Sequence, residues 1–141
     1  KFSDLFVNDV FNFDQLGCNS PHNLFIEKGS KFKLIHIAEI LSRSFRRKIL
    51  KIKSNTNPAN KYNILVKNFL HSLESGNKRL SDKNYEWNIY INKKAKVENP
   101  LYNRSIFINE IKKYEKLNTS FTNKSENFLI FSFVPIFFLE T

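Results

Sequence analysis

The sequence has 141 residues, of which 41% are hydrophobic, and a formal net charge of +10. This length is enough for one domain with a buried core, and the 15 phenylalanines argue against a disordered basic tail. A single cysteine excludes a disulfide scaffold, and the three histidines lack the spacing of metal ligands, so we expect no metal site. No apolar run approaches the roughly 18 residues of a membrane span, and we predict one basic domain over residues 1–141 with an acidic partner.

Five residue types make up half of the sequence: asparagine occurs 19 times, lysine 18 times, phenylalanine 15 times, isoleucine 14 times and tyrosine 5 times. The codons of these residues are rich in adenine and thymine, so the gene is expected to be AT-rich. Organelle genomes commonly have this bias. We therefore predict that the protein acts in mitochondria.

The first predicted elements are a helix and a short apolar segment. Residues 3–13 have apolar side chains at helical spacing, and residues 15–23 contain the glycine and proline typical of a loop. The apolar pair Phe25-Ile26 precedes a turn at Gly29. Residues 33–37 fit either a short strand or the first turn of a helix, because periodicity does not distinguish the two over so short a run.

A basic helix is predicted next, and its segment holds most of the excess charge. Residues 28–53 contain nine basic residues and one acidic residue. At about 100° per residue, one side of the helix is an apolar stripe of Leu34, Ile37, Ala38, Leu41, Phe45, Ile49 and Ile52. The opposite face is basic and carries Arg43, Arg46, Arg47, Lys51 and Lys53, with Lys48 at the edge of the stripe. Arginines one turn apart suit successive phosphates, so we predict contacts to nucleic acid, against the alternative of a solvated helix face.

Two elements are predicted in the middle of the chain. Asn57 and Pro58 are typical of a helix start, and Gly76 is placed to end that helix. A competing interpretation gives a strand over residues 62–66 that is followed by a shorter helix. The alternation of apolar and polar residues over 85–91 predicts a strand with one buried face.

The last part of the chain is predicted to contain a helix and a strand. Asn99 and Pro100 repeat the start signal and predict a helix to about Leu117. A polar loop over 118–127 then leads to a continuous apolar run over 128–134, which is typical of a strand buried on both faces. Because strands and helices alternate along the chain, we predict the α/β fold class.

Catalytic motifs are not evident. The chain has neither a P-loop nor a Gly-x-Gly-x-x-Gly sequence, and its three glycines are too few for a phosphate cradle of that type. Cys18 is followed by His22, but nothing in the sequence completes a recognisable nucleophile arrangement around them. We therefore expect no enzyme activity, no cofactor, no metal and no small-molecule substrate.

Residues 5–53 resemble the opening of the small-subunit ribosomal protein two family. The residues that carry this resemblance are Leu16-Gly17 in a loop, Phe25-Ile26 and Gly29 in the next segment, Ile35-His36-Ile37 as a strand, and Arg46-Arg47 in a helix. A second, weaker resemblance joins residues 62–83 to the ribosomal protein seven family. Both point to a ribosome.

The resemblance implies a small, reduced Rossmann-like sheet with flanking helices and no nucleotide site. It implies a structural protein of the mitochondrial small ribosomal subunit, in the matrix, with ribosomal RNA and neighbouring ribosomal proteins as partners. The predicted RNA-binding residues are Lys31, Lys33, Arg43, Arg46, Arg47, Lys48, Lys51, Lys53, Lys93, Lys94 and Lys96. They would contact phosphates without reading the base sequence.

An alternative function rests on the same composition and on the apolar run over residues 128–139. In that interpretation the protein is a non-catalytic accessory subunit of an organellar inner-membrane respiratory complex. The run has 12 residues, which is too short for a membrane span but long enough for an interface.

Overall fold

The computed structural model describes residues 2–17, 20–29, 32–52, 58–112 and 131–133. In chain order its elements are α1 (Phe2–Phe11), a 3-10 turn (Asn12–Gln15), β1 (Asn23–Glu27), α2 (Leu34–Ile49), α3 (Pro58–Leu73), β2 (Lys78–Ser81), β3 (Asn88–Asn92), β4 (Ser105–Ile111) and β5 (Phe131–Phe133). The helices and an open mixed sheet confirm the predicted α/β fold class. No helix within these ranges is both long enough and apolar enough to cross a bilayer.

The strands form one sheet in the order β2-β3-β4-β1-β5. β3, β4, β1 and β5 run parallel, and β2 joins the edge in the antiparallel direction. In the register, Asn92 of β3 lies opposite Asn109 of β4, and Phe107 lies opposite Asn23 of β1. The sheet is Rossmann-like in having parallel strands with helices on both faces. Its parallel strands lie in the order 2-3-1-4, whereas a Rossmann sheet begins 3-2-1-4.

One face of the sheet, here called the apolar face, packs against α1 and α2. Its strand residues are Leu24, Ile26, Ile89, Ile91, Ile106 and Ile108. The predicted stripe of α2 covers them, since Ile37, Leu41 and Phe45 are all at most 4% exposed. The ring of Phe45 lies 5.5 Å from that of the buried Trp87. The amphipathic pattern is therefore confirmed within α2, and it explains how the helix is held against the sheet. The assignment of Ile52 to the stripe is wrong, because α2 ends at Ile49 and Ile52 is 41% exposed.

The opposite face, here called the polar face, lies under α3. Its buried strand residues are Asn23, Phe25, Asn88, Tyr90, Asn92, Ser105, Phe107, Asn109 and Ile111. α3 buries Ile64 and His71, and the His71 ring meets the Tyr90 ring edge-on at 5.1 Å. The segment after β3 also returns across this face, where Val97 packs on Phe25.

Two segments that the sequence allowed to be either strand or helix are helical in the structure. Residues 34–37 form the first turn of α2, so the strand that the ribosomal resemblance implied at Ile35-His36-Ile37 is wrong. Residues 62–66 lie inside α3, which begins at Pro58 as predicted, so the competing strand is also wrong. In both segments apolar residues at helical spacing extend well beyond the short run. This longer pattern favours a helix over a strand.

The predicted helix from Asn99 is wrong, because β4 occupies residues 105–111. β4 is a central strand because it pairs with β3 on one edge and β1 on the other. All of its residues except Glu110 are buried, and its isoleucines suit such a strand. The strand predicted over 85–91 begins later, at Asn88, and is buried on both faces rather than one. Strand β5 confirms the described part of the run 128–134, and the loop predicted over 118–127 lies outside the described residues.

Two runs of left-handed backbone meet where β4 begins. They comprise Phe13, Asp14 and Gln15, and Tyr102, Asn103 and Arg104, with φ between 50° and 64°. The Gln15 side chain accepts a hydrogen bond from the Ser105 N–H at 2.7 Å and donates one to the Ser105 carbonyl at 3.0 Å. Arg104, only 1% exposed, donates to Asp14 Oδ1 at 2.7 Å and to the Ile52 carbonyl at 3.0 Å. Each left-handed residue costs roughly 1–2 kcal/mol, and these buried bonds hold the corner against that cost.

Candidate functional site

Three of the predicted RNA-binding residues, Arg47, Lys48 and Lys51, line a groove between α1 and α2. Its volume is about 280 Å³, and it is called the α1–α2 groove below. It is lined by Asp4, Val7, Asn8, Ser44, Arg47, Lys48 and Lys51. α1 and α2 pack side by side on the apolar face, and the groove lies between residues of the two helices.

Hydrogen bonds across the groove hold its polar side chains in place. The Asp4 carboxylate accepts a hydrogen bond from Arg47 Nη2 at 2.8 Å and another from Ser44 Oγ at 2.9 Å. Lys48 Nζ donates to Asn8 Oδ1 at 2.7 Å. The hydrogen bond from Ser44, and then the one from Arg47, lower the pKa of Asp4.

Asp4 is therefore ionised at neutral pH and offsets one of the three cations that line the groove, leaving a net charge of +2. An anion that enters from solvent meets Lys48 and Lys51 beside an arginine that is already paired. The lining suits a phosphate group better than a neutral ligand.

The predicted basic residues do not form one surface. Arg47, Lys48 and Lys51 line the groove, while Arg43 and Arg46 are exposed on α2 outside it. Lys33 is exposed just before α2, and Lys31 and Lys53 lie outside the described residues. Lys93 and Lys94 are exposed and Lys96 half-buried in the segment after β3, which crosses the polar face on the other side of the sheet. Their assignment to nucleic-acid contact stays a prediction that these contacts do not test.

Lys96 is engaged within the protein. Its Nζ lies 2.7 Å from Glu74 Oε1 and 3.0 Å from Glu98 Oε1. Burial disfavours its charged form, but the hydrogen bonds to Glu74 and Glu98 outweigh burial, and the pKa of Lys96 is raised. A cation held between two carboxylates has little capacity left for an external anion.

Sequence reasoning missed the polar groove residues Asp4, Asn8 and Ser44. Asp4 and Asn8 lie on α1, four positions apart, so they share one side of that helix. That spacing was the available signal, since the first segment is predicted to be helical and its other polar residues lie elsewhere on the helix. The partner helix was not predictable, because nothing in the sequence pairs α1 with α2.

A second polar cluster lies buried on the polar face. His71 Nε2 lies 3.1 Å from Asn92 Oδ1, and Asn92 Nδ2 donates to Asn109 Oδ1 at 2.9 Å. The Lys96 backbone N–H also donates to Asn109 Oδ1, at 3.2 Å. Because Asn92 Oδ1 is an acceptor, His71 donates from Nε2 in this arrangement.

The pKa of His71 is lowered, chiefly by burial. The hydrogen bond to Asn92 and the charge of Glu98 act in the raising direction, while Lys67 and Lys96 act with burial. The cluster therefore links α3 to β3 and β4 through neutral groups. Within the described ranges, no group of three histidine, cysteine, aspartate or glutamate side chains is arranged to hold a metal ion.

A family model described as Acyl-CoA reductase (LuxC) matches residues 1–129 of the chain. No curated protein and no solved structure matches it.

The family match corrects several predictions made from the sequence. The ribosomal protein assignment is wrong, and so are the ribosomal RNA and ribosomal protein partners. The expectation of no enzyme and no small-molecule substrate is also wrong, because the matched family is a family of reductases that act on acyl-CoA. The respiratory accessory subunit has no support either. The resemblance rested on short apolar motifs, which recur by chance in so biased a composition. The mitochondrial location and the single domain remain predictions.

Proposed function

The chain belongs to the acyl-CoA reductase (LuxC) family, and we propose that it takes part in the reduction of an acyl-coenzyme A thioester. The observation that carries this proposal is the extent of the match, which spans residues 1–129 and so includes every helix and all strands but β5. We further propose that the α1–α2 groove binds the anionic part of coenzyme A.

Reduction of an acyl-CoA thioester requires the protein to bind coenzyme A. Reduction of a thioester adds a hydride to the carbonyl carbon and breaks the carbon–sulfur bond. The products are an aldehyde and free coenzyme A, whose sulfur takes up a proton. A protein of this family therefore needs a site for coenzyme A, which carries a pyrophosphate and a 3′-phosphate on its nucleotide end.

The groove fits the phosphates by charge and by size. Arg47, Lys48 and Lys51 offer cationic donors against the single carboxylate of Asp4. Pockets that enclose a whole drug-sized ligand measure about 300–1,000 Å³. A groove of about 280 Å³ therefore accommodates a phosphate or pyrophosphate and leaves the rest of the ligand outside.

A reductase also needs a hydride donor, and the residues of this chain do not match a glycine-rich dinucleotide site. Such sites follow a strand with Gly-x-Gly-x-x-Gly, so that the backbone approaches the pyrophosphate closely. The turn after β1 contains Gly29 alone, and Gly17 and Gly76 lie in other turns. We therefore assign no residue of this chain to the hydride donor.

Calorimetric titration of the full chain with coenzyme A and with a long-chain acyl-CoA tests the proposal. We expect both to bind, and we expect the double variant Lys48→Glu with Lys51→Glu to weaken both by about tenfold or more, since charge-assisted hydrogen bonds are each worth roughly 1.5–3 kcal/mol. Release of free thiol from the acyl-CoA that is matched by oxidation of a reduced nicotinamide measures the reduction itself.

A matched control reverses the same number of charges elsewhere. Lys93→Glu with Lys94→Glu changes two exposed lysines on the other side of the sheet. It is expected to leave both affinities within about twofold, apart from the long-range effect of net charge, which salt screens. Equal weakening by the two double variants would contradict the groove as the site. Failure of coenzyme A and acyl-CoA to bind at all would contradict the proposed function.

A further inference from the structure

The outward side of α3 is apolar although it is exposed. Six large side chains are 38–67% exposed there: Tyr62, Leu65, Val66, Phe69, Leu70 and Leu73. The inward side of the same helix carries Ile64 and His71, which are buried on the polar face. α3 thus has its apolar side turned away from the sheet, the reverse of α2. An amphipathic helix normally buries its apolar side.

The exposed residues follow the spacing of a helix-pairing seam. Tyr62, Val66, Phe69 and Leu73 are separated by four, three and four positions, which is the a/d spacing of a coiled coil. Leu65 and Leu70 flank this seam. The spacing keeps the four residues in line along one side of a helix for its whole length, so a second helix would contact all of them.

The exposed apolar area of α3 approaches the area that a stable dimer needs. At about 200 Å² for a whole large side chain, these exposures leave roughly 700 Å² of apolar surface open. The largest apolar patch on a typical monomer is about 300–600 Å², and specific interfaces bury about 800 Å² per partner. One α3 seam packed on another therefore approaches the size of a standard interface.

We propose that two copies of this chain associate through α3, with the two helices antiparallel about a two-fold axis. In that arrangement Val66 of one copy meets Phe69 of the other, and Tyr62 meets Leu73, so the seam is complementary to itself.

This interface is separate from the proposed coenzyme A site. α3 covers the polar face, whereas the α1–α2 groove lies beyond the apolar face, so the whole sheet stands between them. The dimer therefore does not depend on the proposed function, and the failure of one leaves the other standing.

Analytical ultracentrifugation of the full chain over a roughly hundredfold range of concentration tests the proposal. We expect a monomer–dimer equilibrium, and we expect Phe69→Glu with Leu73→Glu to weaken it by roughly a hundredfold or more. The matched control is Phe13→Glu with Leu50→Glu, which replaces the same residue types at sites that are 83% and 86% exposed. The control is expected to dimerise like the natural chain.

A wild-type chain that stays monomeric over this range contradicts the proposal and assigns the seam to another occupant, such as a separate domain or a lipid. A dimer that survives the seam variant while the far-UV circular dichroism of that variant is unchanged also contradicts it.

Cross-linking with a short bis-maleimide tests the orientation without disturbing the charge of the seam. In a Cys18→Ser background, the two copies of Val66→Cys would lie about 4–5 Å apart along an antiparallel pair, and the two copies of Tyr62→Cys about 16 Å apart. We expect the first variant to form a cross-linked dimer and the second to form none. Equal cross-linking of both variants would contradict the antiparallel arrangement.

Discussion

The two faces of the sheet are held by different kinds of contact. On the apolar face, isoleucines and leucine from three strands pack against the stripes of α1 and α2. On the polar face, buried asparagines join β3 and β4 to α3 through hydrogen bonds, and a lysine of α3 lies 5.0 Å above the ring of Phe107. Apolar packing tolerates many sequences, whereas a buried amide network requires each partner to be present.

The largest effect is expected from a cavity in the apolar face. Phe45 is fully buried, and its ring lies 5.6 Å from that of Phe11 and 5.5 Å from that of Trp87. Phe45→Ala is expected to lower the free energy of unfolding by about 3–5 kcal/mol, because the neighbouring rings only partly fill the space. Urea denaturation measures this loss. Leu50→Ala, at a site that is 86% exposed, is the control and should change stability by about 0.5 kcal/mol or less.

A smaller but still large effect is expected from the polar face. Asn92 is fully buried and bonds to both His71 and Asn109. Asn92→Leu removes both hydrogen bonds. It leaves the His71 donor without its acceptor and Asn109 Oδ1 with one donor fewer, so we expect the free energy of unfolding to fall by about 2–4 kcal/mol. The double variant Asn92→Leu with Asn109→Leu should lose less than the sum of the two single variants, because each single change strands the other amide. Additive losses would show that the two amides are not coupled.

The apolar face was predictable from the sequence and the polar face was not. The period of α2 marks its buried side directly, since Ile37, Leu41 and Phe45 recur at helical spacing. Asn92 and Asn109 carry no such signal, because an isolated asparagine is typical of loops and its burial depends on the strand beside it. β4 was predicted as a helix for a related reason. The spacing of its apolar residues fits a helix or a strand. Pairing with two neighbouring strands is what makes the segment a strand.

The same distinction applies to the two helices that cover the sheet. α2 was predicted correctly because its apolar residues face inward, so the sequence pattern and the burial agree. α3 has an equally clear apolar stripe, but its exposed members, such as Phe69, turn away from the sheet. A sequence pattern identifies the apolar side of a helix without identifying what that side contacts. The same limit applies to the site. The sequence predicted the basic residues of α2, but it did not show that Asp4 of α1 lines the groove beside them.

The polar face is expected to make stability depend on pH. Burial lowers the pKa of His71 in the folded protein below the value of about 6.5 that it has when unfolded. The unfolded chain therefore binds the proton more readily, so the stability is fully present above pH 6.5 and is lost as the pH falls through the folded pKa. Urea denaturation at pH 7.5 and at lower pH should show this decline. His71→Gln should decline less steeply, although His22, whose pKa burial also lowers, contributes a decline of the same sign.

The smallest effect on stability is expected from the polar contacts outside the apolar face, where Asp4 bonds to Arg47 and Ser44 in solvent. The Asp4 and Arg47 side chains are 55% and 66% exposed, and exposed ion pairs contribute about 0–1 kcal/mol, so Asp4→Asn should cost about 1 kcal/mol or less.

The same change, Asp4→Asn, removes the one carboxylate of the groove and raises the net charge of its lining from +2 to +3. We therefore expect coenzyme A to bind a few-fold more tightly to Asp4→Asn, by an amount that shrinks as salt is added. Glu27→Gln, which neutralises an exposed carboxylate at the end of β1, is the control for net charge alone. If it strengthens binding as much as Asp4→Asn does, the gain reflects the charge of the whole protein rather than that of the groove.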